Sequence, residues 1–428
     1  MKRLLKDSAI YGLSGALVKF SAFLTLPIYT RLLSPKEFGI LDLYITVAAF
    51  IFIFLETQMA SSFMRDYYTY KKEGKLNQLL GNILWYYLYG YLLAFAVIFI
   101  LHALFPQNKY MDIHYLLPIV LYIFPKQIFD LYAIRLRMEN ESKRYLYYTV
   151  SKIFTTALFG IITVVFIKSS PEAILWSIFL ANLIFGILGY RFFLLEVGIK
   201  WTFTYIKSLL HFGIPVMFVV LANWLMSSVS KFLIIEYLSF KNLAIYSIAL
   251  KIGILYLLFS QVFKMVWDPI AIENFSFKGD KNIYKKALNY YFSTGALFVF
   301  IIYINTQNII ELIATNEYAD AAILAVPILS AYFWRGAIMI VSSGNAWVKK
   351  TYFDLIATAF GSIVGITVMY IYIATYKLQA VALGEFSAAF ISFFLTLFFA
   401  QKNINIKYNY LTIIFFVILT FWIILNIK

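Results

Sequence analysis

The stretch Arg31-Leu32-Leu33-Ser34-Pro35-Lys36-Glu37-Phe38-Gly39-Ile40 closes one long apolar run and opens the next. About 200 residues later, Glu236-Tyr237-Leu238-Ser239-Phe240-Lys241-Asn242-Leu243-Ala244-Ile245 does the same. Leu33, Ser34, Lys36 and Ile40 recur in register as Leu238, Ser239, Lys241 and Ile245, with Gly39 against Ala244. Upstream, Lys6 and Gly12 correspond to Lys207 and Gly213 with a gap of roughly four residues between. Self-similarity at a fixed period reads as a duplicated structural unit. Each copy is followed by five further apolar runs of about 20 residues, long enough to cross about 30 Å of hydrocarbon. Two six-span halves in one orientation form a parallel repeat, and transporters of that design hold substrate near the midplane between the repeats.

Composition sets the class. The chain is 62% hydrophobic and 13% charged, where a soluble domain carries about 25% charged residues. Mean hydropathy is +0.80, and the reading is an all-α, polytopic membrane protein. The basic opening Met1-Lys2-Arg3-Leu4-Leu5-Lys6 leads into a run too long for the core of a signal peptide. There is no cysteine, and His102, His114 and His211 lie far apart, so neither disulfides nor a metal site is expected.

Spans are predicted at 8–33, 37–64, 79–104, 113–138, 145–168 and 171–195. A second set is predicted at 206–235, 241–268, 286–311, 319–347, 351–376 and 379–401, with a last run at 408–427. The domain reading is an N-terminal lobe over 1–195, a basic linker over 196–207, a C-terminal lobe over 208–401 and an added helix over 408–427. Alternate loops hold roughly 22 lysines and arginines against 6, which puts the N-terminus in the cytoplasm by the positive-inside rule. The net charge of +15 is therefore mostly topological. It calls for anionic membrane lipids as neighbours and no nucleic acid.

Eight cations fall inside predicted spans: Lys19, Arg31, Lys126, Lys152, Lys231, Lys251, Lys264 and Arg335. Each costs about 2.5–3.5 kcal/mol at a membrane centre on insertion scales, and such groups face a bundle interior or a wet cavity. Lys126 sits four residues before Asp130, a local ion pair, while Arg31 and Lys264 lie near span ends where long side chains reach the interface. The other five continue small or polar helical stripes. Lys19 lies with Gly12, Gly15 and Ala16, and Lys152 with Thr149, Thr156 and Gly160. Lys231 lies with Asn223 and Ser227, Lys251 with Ala244 and Ser247, and Arg335 with Ala331 and Ser342. These stripes suit a cationic cavity that holds an anion. Glu56, Gln58, Asp268 and Glu385 are candidates for proton or sodium coupling, and pairing with the nearby cations is the competing reading. Asp354 is a further carboxylate available to pair with them.

The sequence contains no Walker A loop, no His-Glu-x-x-His and no nucleophile elbow. No loop is long enough to fold alone, so the chain reads as a transporter without a cofactor, driven by an ion or substrate gradient.

The first two spans, with Gly12, Lys19, Pro27 and Tyr29-Thr30-Arg31-Leu32-Leu33-Ser34-Pro35-Lys36-Glu37-Phe38-Gly39, resemble the opening of polysaccharide transporters. So does Gln58-Met59-Ala60-Ser61-Ser62-Phe63-Met64-Arg65. In the second half, Ile245-Tyr246-Ser247-Ile248-Ala249-Leu250-Lys251 and Trp267-Asp268-Pro269 are similar to the family's signatures. These are the O-antigen and capsule (Wzx-type) flippases of the multidrug/oligosaccharidyl-lipid/polysaccharide exporter superfamily. The resemblance implies two six-helix lobes in a V-shaped, MATE-like arrangement around a cationic cavity. It implies transfer of undecaprenyl-pyrophosphate-linked oligosaccharide from the inner to the outer leaflet of a bacterial inner membrane. The site residues would then be Lys19, Lys152, Lys231, Lys251, Arg335 and Arg31, with Lys19 and Lys251 matching cavity cations of lipid-linked peptidoglycan precursor flippases. A monomer working beside polysaccharide polymerase machinery is implied. The family often carries an Asp-Arg pair where this chain has Ser230-Lys231, which either frees Lys231 for an anion or removes its role. The alternatives are an ion-coupled drug or metabolite antiporter of the same superfamily and a membrane glycan polymerase or ligase.

Overall fold

A computed structural model describes residues 23, 25–105, 108, 110–197, 199–276, 280–348 and 350–425. Most of the first predicted span, with Lys19, lies outside the described residues. Among the described residues, ten helices are long and apolar enough to cross a membrane. The described chain divides into two compact units, Met1–Ser228 and Val229–Lys428.

The first unit opens with a helix whose start is written in its sequence. Ser34 accepts from the Glu37 amide at 3.3 Å, Glu37 accepts from the Ser34 amide at 2.9 Å, and Pro35 takes the first turn. This capping box satisfies two amides that would otherwise lack partners. Helix α1 (Pro35–Glu56) runs 22 residues, about 33 Å at 1.5 Å per residue. It then breaks: Thr57 and Gln58 adopt left-handed backbone at φ 44° and 55°, and α2 (Met59–Lys72) follows. The sequence predicts one continuous span over 37–64, because no glycine or proline marks the break.

Helices α3 (Leu76–Leu104), α4 (Ile113–Met138), α5 (Ser142–Ile162) and α6 (Pro171–Glu196) complete the core of this unit. A π-helical turn over Thr163–Ile167 extends α5. Residues 199–205 are fixed onto α3. The buried Asn82 amide donates to Thr202 Oγ1 at 2.5 Å and accepts from the Tyr205 amide at 2.9 Å, and the Lys200 amide reaches Asn77 O at 3.1 Å. Helix α7 (Ile206–Tyr237) then leads into the second unit.

At the end that carries the basic loops, Arg135 is buried between Glu139 at 3.3 Å and Glu196 at 2.8 Å. Tyr67 donates to Glu139 at 2.7 Å, and Arg144 also holds Glu196. Four helices are thus tied through two carboxylates. Sequence counting places Arg135 among the loop cations, where it would be solvated; the structure turns it inward.

In the second unit, α8 (Phe240–Ser276) is uninterrupted. The span predicted over 286–311 divides at Asn305 into α9 (Asn282–Ile304) and α10 (Thr306–Ile313). Helices α11 (Ala321–Val341) and α12 (Ser343–Trp347) follow. Helix α13 (Tyr352–Asn403) has 52 residues but turns at Lys377, where φ is 50° and ψ −128°. Its arms pack face to face. A methyl group on Gly365 would meet Gly384 O at 2.6 Å, and one on Gly361 would meet Ala388 O at 2.5 Å. The two spans predicted at 351–376 and 379–401 are these arms. Small residues permit the close backbone approach that substitutes for hydrophobic driving force in lipid. The last run forms α14 (Tyr410–Leu425), 16 residues long.

Two stability predictions follow from these contacts. Arg135→Leu removes the buried cation that joins Glu139 to Glu196, leaving them only the more exposed Lys71 and Arg144, and should cost about 1.5–3 kcal/mol. In a detergent-solubilised thermal melt the midpoint should fall, while loss of exposed Lys75 should leave it unchanged. Gly365→Leu overpacks the α13 hairpin at a cost of about 1–3 kcal/mol or more, and should reduce the amount of folded protein recovered from membranes.

Candidate functional site

In the first unit, a cavity of about 500 Å³ opens among α1, α2, α4 and α5. The break after α1 supplies one wall. Glu56 is 4% exposed; its Oε1 accepts from the Ala60 amide at 2.8 Å and from the Tyr87 hydroxyl at 3.3 Å. The carboxylate therefore caps the start of α2, where helix amides lack internal partners. Thr57 Oγ1 bonds Phe54 O at 2.5 Å and the Tyr86 hydroxyl at 2.6 Å. Gly213 packs against Thr57 O so closely that a side chain there would collide with it.

Gln58 and Ser61 line the cavity beside Glu56, and Ser61 donates to Gln58 Oε1 at 2.9 Å. From α4 come Phe129, Asp130 and Arg137, and from α5 Tyr145, Thr149 and Lys152. Asp130 is held by Lys126 at 2.5 Å, the local pair that the sequence spacing predicts. Lys126 also lies 4.1 Å from the Phe52 ring centre. Lys152 lies 5.1 Å over the Phe129 ring. Among the described residues no carboxylate comes within ion-pair distance of it.

The second unit holds a different constellation. Arg335 binds Glu385 at 2.5 Å, and the buried Tyr246 hydroxyl donates to Glu385 Oε1 at 3.2 Å. The Ser230 hydroxyl lies 3.1 Å from the Tyr246 oxygen and can donate to it. Glu385 is 8% exposed and Arg335 44%, so a buried carboxylate anchors a guanidinium whose other donors remain accessible. Lys231 and Lys251, of the same unit, are half-buried and engaged by other groups.

Of the sequence candidates, Lys152 and Glu56 share one cavity, and Arg335 and Glu385 form one ion pair. Lys19 lies outside the described residues. Arg31 is exposed and donates to Pro27 O at 2.9 Å. Asp268 pairs with Lys264 at 3.3 Å, both about half exposed, one helical turn apart. Asp354 accepts from Asn345 at 2.6 Å. Ser61, Tyr145 and Arg137 are not among the sequence candidates: Arg137 counts with the loop cations, Tyr145 sits on the helical stripe of Thr149 and Lys152 that could have found it, and nothing local marks Ser61. Among the described residues there is no group of three or more His, Cys, Asp or Glu placed to hold a metal ion.

The fold has well-defined counterparts. The structure matches the lipid II flippase MurJ in an inward closed conformation with a TM-score of 0.72 at 15% identity, over 98% of this chain and 92% of that one. An inward-facing multidrug resistance MATE family transporter of the MOP superfamily matches with a TM-score of 0.64 at 15% identity, over 92% and 93%. The Vibrio cholerae MATE transporter VcmN in its bent form matches with a TM-score of 0.57 at 14% identity, over 94% and 96%. At such identities the likeness is one of fold. No curated protein matches the sequence. Residues 4–275 match the family described as "Polysaccharide biosynthesis protein". The chain, a multi-pass helical membrane protein with the fold of MOP-superfamily transporters, belongs to the polysaccharide biosynthesis protein family.

Proposed function

We propose that this protein is a flippase, not an enzyme, which moves undecaprenyl-pyrophosphate-linked oligosaccharide from the inner to the outer leaflet by alternating access. The observation that carries this reading is the first unit's cavity, where Lys152 is half-buried among membrane helices with, among the described residues, no carboxylate within ion-pair distance. A cation kept in that setting is expensive without an anionic ligand. Family membership supports a glycan as cargo, and the likeness to a lipid II flippase supports a lipid-linked one.

In this reading Lys152, Lys231, Lys251 and Arg335 meet the anionic part of the substrate, joined by Lys19 and Arg31. The N-terminus and the basic loops face the cytoplasm of a bacterial inner membrane, the protein works as a monomer beside polymerase machinery, and no cofactor takes part. Proton or sodium coupling falls to Glu56. Asp268 and Glu385 are held in ion pairs, whereas the partners of Glu56 are an amide and a hydroxyl. The likeness to MATE transporters favours an ion-coupled antiporter as the second reading.

Vesicles containing purified protein and a fluorescent undecaprenyl-pyrophosphate-linked glycan distinguish the two. The flippase should expose the glycan on the opposite leaflet without ATP, and Lys231→Gln with Lys251→Gln should slow this at least tenfold, as expected for losing charge-assisted contacts of about 1.5–3 kcal/mol. Drug efflux with no glycan movement would instead establish the antiporter. In the same vesicles Glu56→Gln, whose amide oxygen can still cap α2, should remove any acceleration by an imposed ion gradient and leave the ungradiented rate in place.

A further inference from the structure

We propose that residues 199–207, which lead into α7, form with the first half of α3 a binding site for an anionic phospholipid of the leaflet that borders the basic loops. Its ligand is a lipid of the bilayer, and the site is independent of the cargo.

Length and polarity locate the membrane surface on α3. The helix has 29 residues, about 43 Å at 1.5 Å per residue. Hydrocarbon of about 30 Å takes roughly 20 of them, which matches the apolar stretch over 85–104. The turns before it, over 76–84, carry Asn77, Gln78 and Asn82. Beyond Trp85, the residues Tyr89, Leu93, Val97, Ile100 and Leu104 form an exposed stripe along one face. Trp85 therefore stands at the depth where Trp and Tyr collect, between headgroups and acyl chains.

The segment over 199–205 brings two more rings to that depth. Thr202 and Tyr205 turn inward, held by Asn82 and by the bond from the Tyr205 hydroxyl to Gln78 Oε1 at 3.0 Å. Lys200 O lies so close to Gly81 that a methyl group there would overlap it. Trp201 and Phe203 turn outward, 41% and 57% exposed. The Trp201 ring lies 4.7 Å from Trp85, and Phe203 lies 5.8 Å from Trp85 and 5.7 Å from Tyr89. Trp85 and Tyr89 stack at 5.2 Å. Rings held open on a fixed segment suit the layer where one end of a side chain is apolar and the other wet.

Charge selects the headgroup. Lys200, beside Trp201, and Lys207, in the first turn of α7, are exposed. Among the described residues neither has a carboxylate within ion-pair distance. The acidic residues nearest along the chain are committed: Glu73 binds Lys75 at 2.9 Å, and Glu196 is held by Arg135 and Arg144. Neither 74–111 nor 197–235 contains an aspartate or glutamate. Two uncompensated cations therefore flank the aromatic residues along the chain. Basic residues at a membrane surface draw anionic lipid. A phosphate diester with its chains along the α3 stripe meets lysine, ring and hydrocarbon in that order. A zwitterionic lipid offers the same chains with its charge cancelled.

The test uses full-length protein in phosphatidylcholine vesicles doped with brominated phosphatidylglycerol or brominated phosphatidylcholine, whose bromines quench nearby tryptophan. The Trp201 signal is the difference between wild type and Trp201→Phe. Brominated phosphatidylglycerol should quench that signal at about a tenfold lower mole fraction than brominated phosphatidylcholine, as two lysines near the surface imply. Lys200→Gln with Lys207→Gln should make the two lipids equal while leaving quenching by both in place. Equal quenching in wild type, or a preference that survives the double substitution, would overturn the lipid site. Should the double variant fail to fold, wild type in rising salt decides: a preference that fades supports the site, and one that is unchanged or absent refutes it.

Discussion

Hydrocarbon offers no hydrogen bonds, so every backbone amide and carbonyl that crosses it must find its partner within the protein. That constraint makes this chain helical, and it makes each departure from helix conspicuous. At Thr57–Gln58 the freed groups are taken by particular side chains: the Glu56 carboxylate caps an amide, and the Thr57 hydroxyl bonds a carbonyl and Tyr86. At Lys377 the chain reverses between two arms, and the arms close on each other through glycine. The first departure is built from polar side chains and lines a cavity; the second is a turn that completes a hairpin.

The same economy governs charge, and the two units differ in it. In the second, Glu385 fixes Arg335 and is itself fixed by Tyr246. Its cation is pre-oriented, its net charge is largely cancelled, and removing either partner strands the other. In the first, Asp130 is committed to Lys126 and Lys152 rests on an aromatic ring. The two units thus differ: one pairs its cation directly with a carboxylate, and the other sets Lys152 on a ring in a cavity that Asp130 and Glu56 also line. A symmetric reading of the repeat, which sets all the buried cations side by side as equivalent walls, misses that distinction.

Much of this was legible from residues alone. Ser34, Pro35 and Glu37 mark a helix start through local chemistry, and Lys126 with Asp130 marks a pair through helical spacing. The bias of lysine and arginine among loops orders the spans. What escaped is tertiary. Arg135 looks like a loop cation until Glu196, distant in sequence, is brought beside it. The break after Glu56 carries none of the glycine or proline that announces one, because its support comes from Tyr86, Tyr87 and Gly213 on other helices. Ser61 joins the cavity that Lys152 lines only once that break is made.

The fastening of residues 199–205 onto α3 bears on how the gene could be divided. The basic segment between the halves looks like the natural seam, and a fusion ancestor would be expected to join there. Yet Asn82 would lose both Thr202 and Tyr205 if the chain were parted at Glu196. The joint has become part of the first unit's own structure. Fragments meant to complement each other in a cell should therefore be separated after Tyr205, so that the first carries its clasp with it.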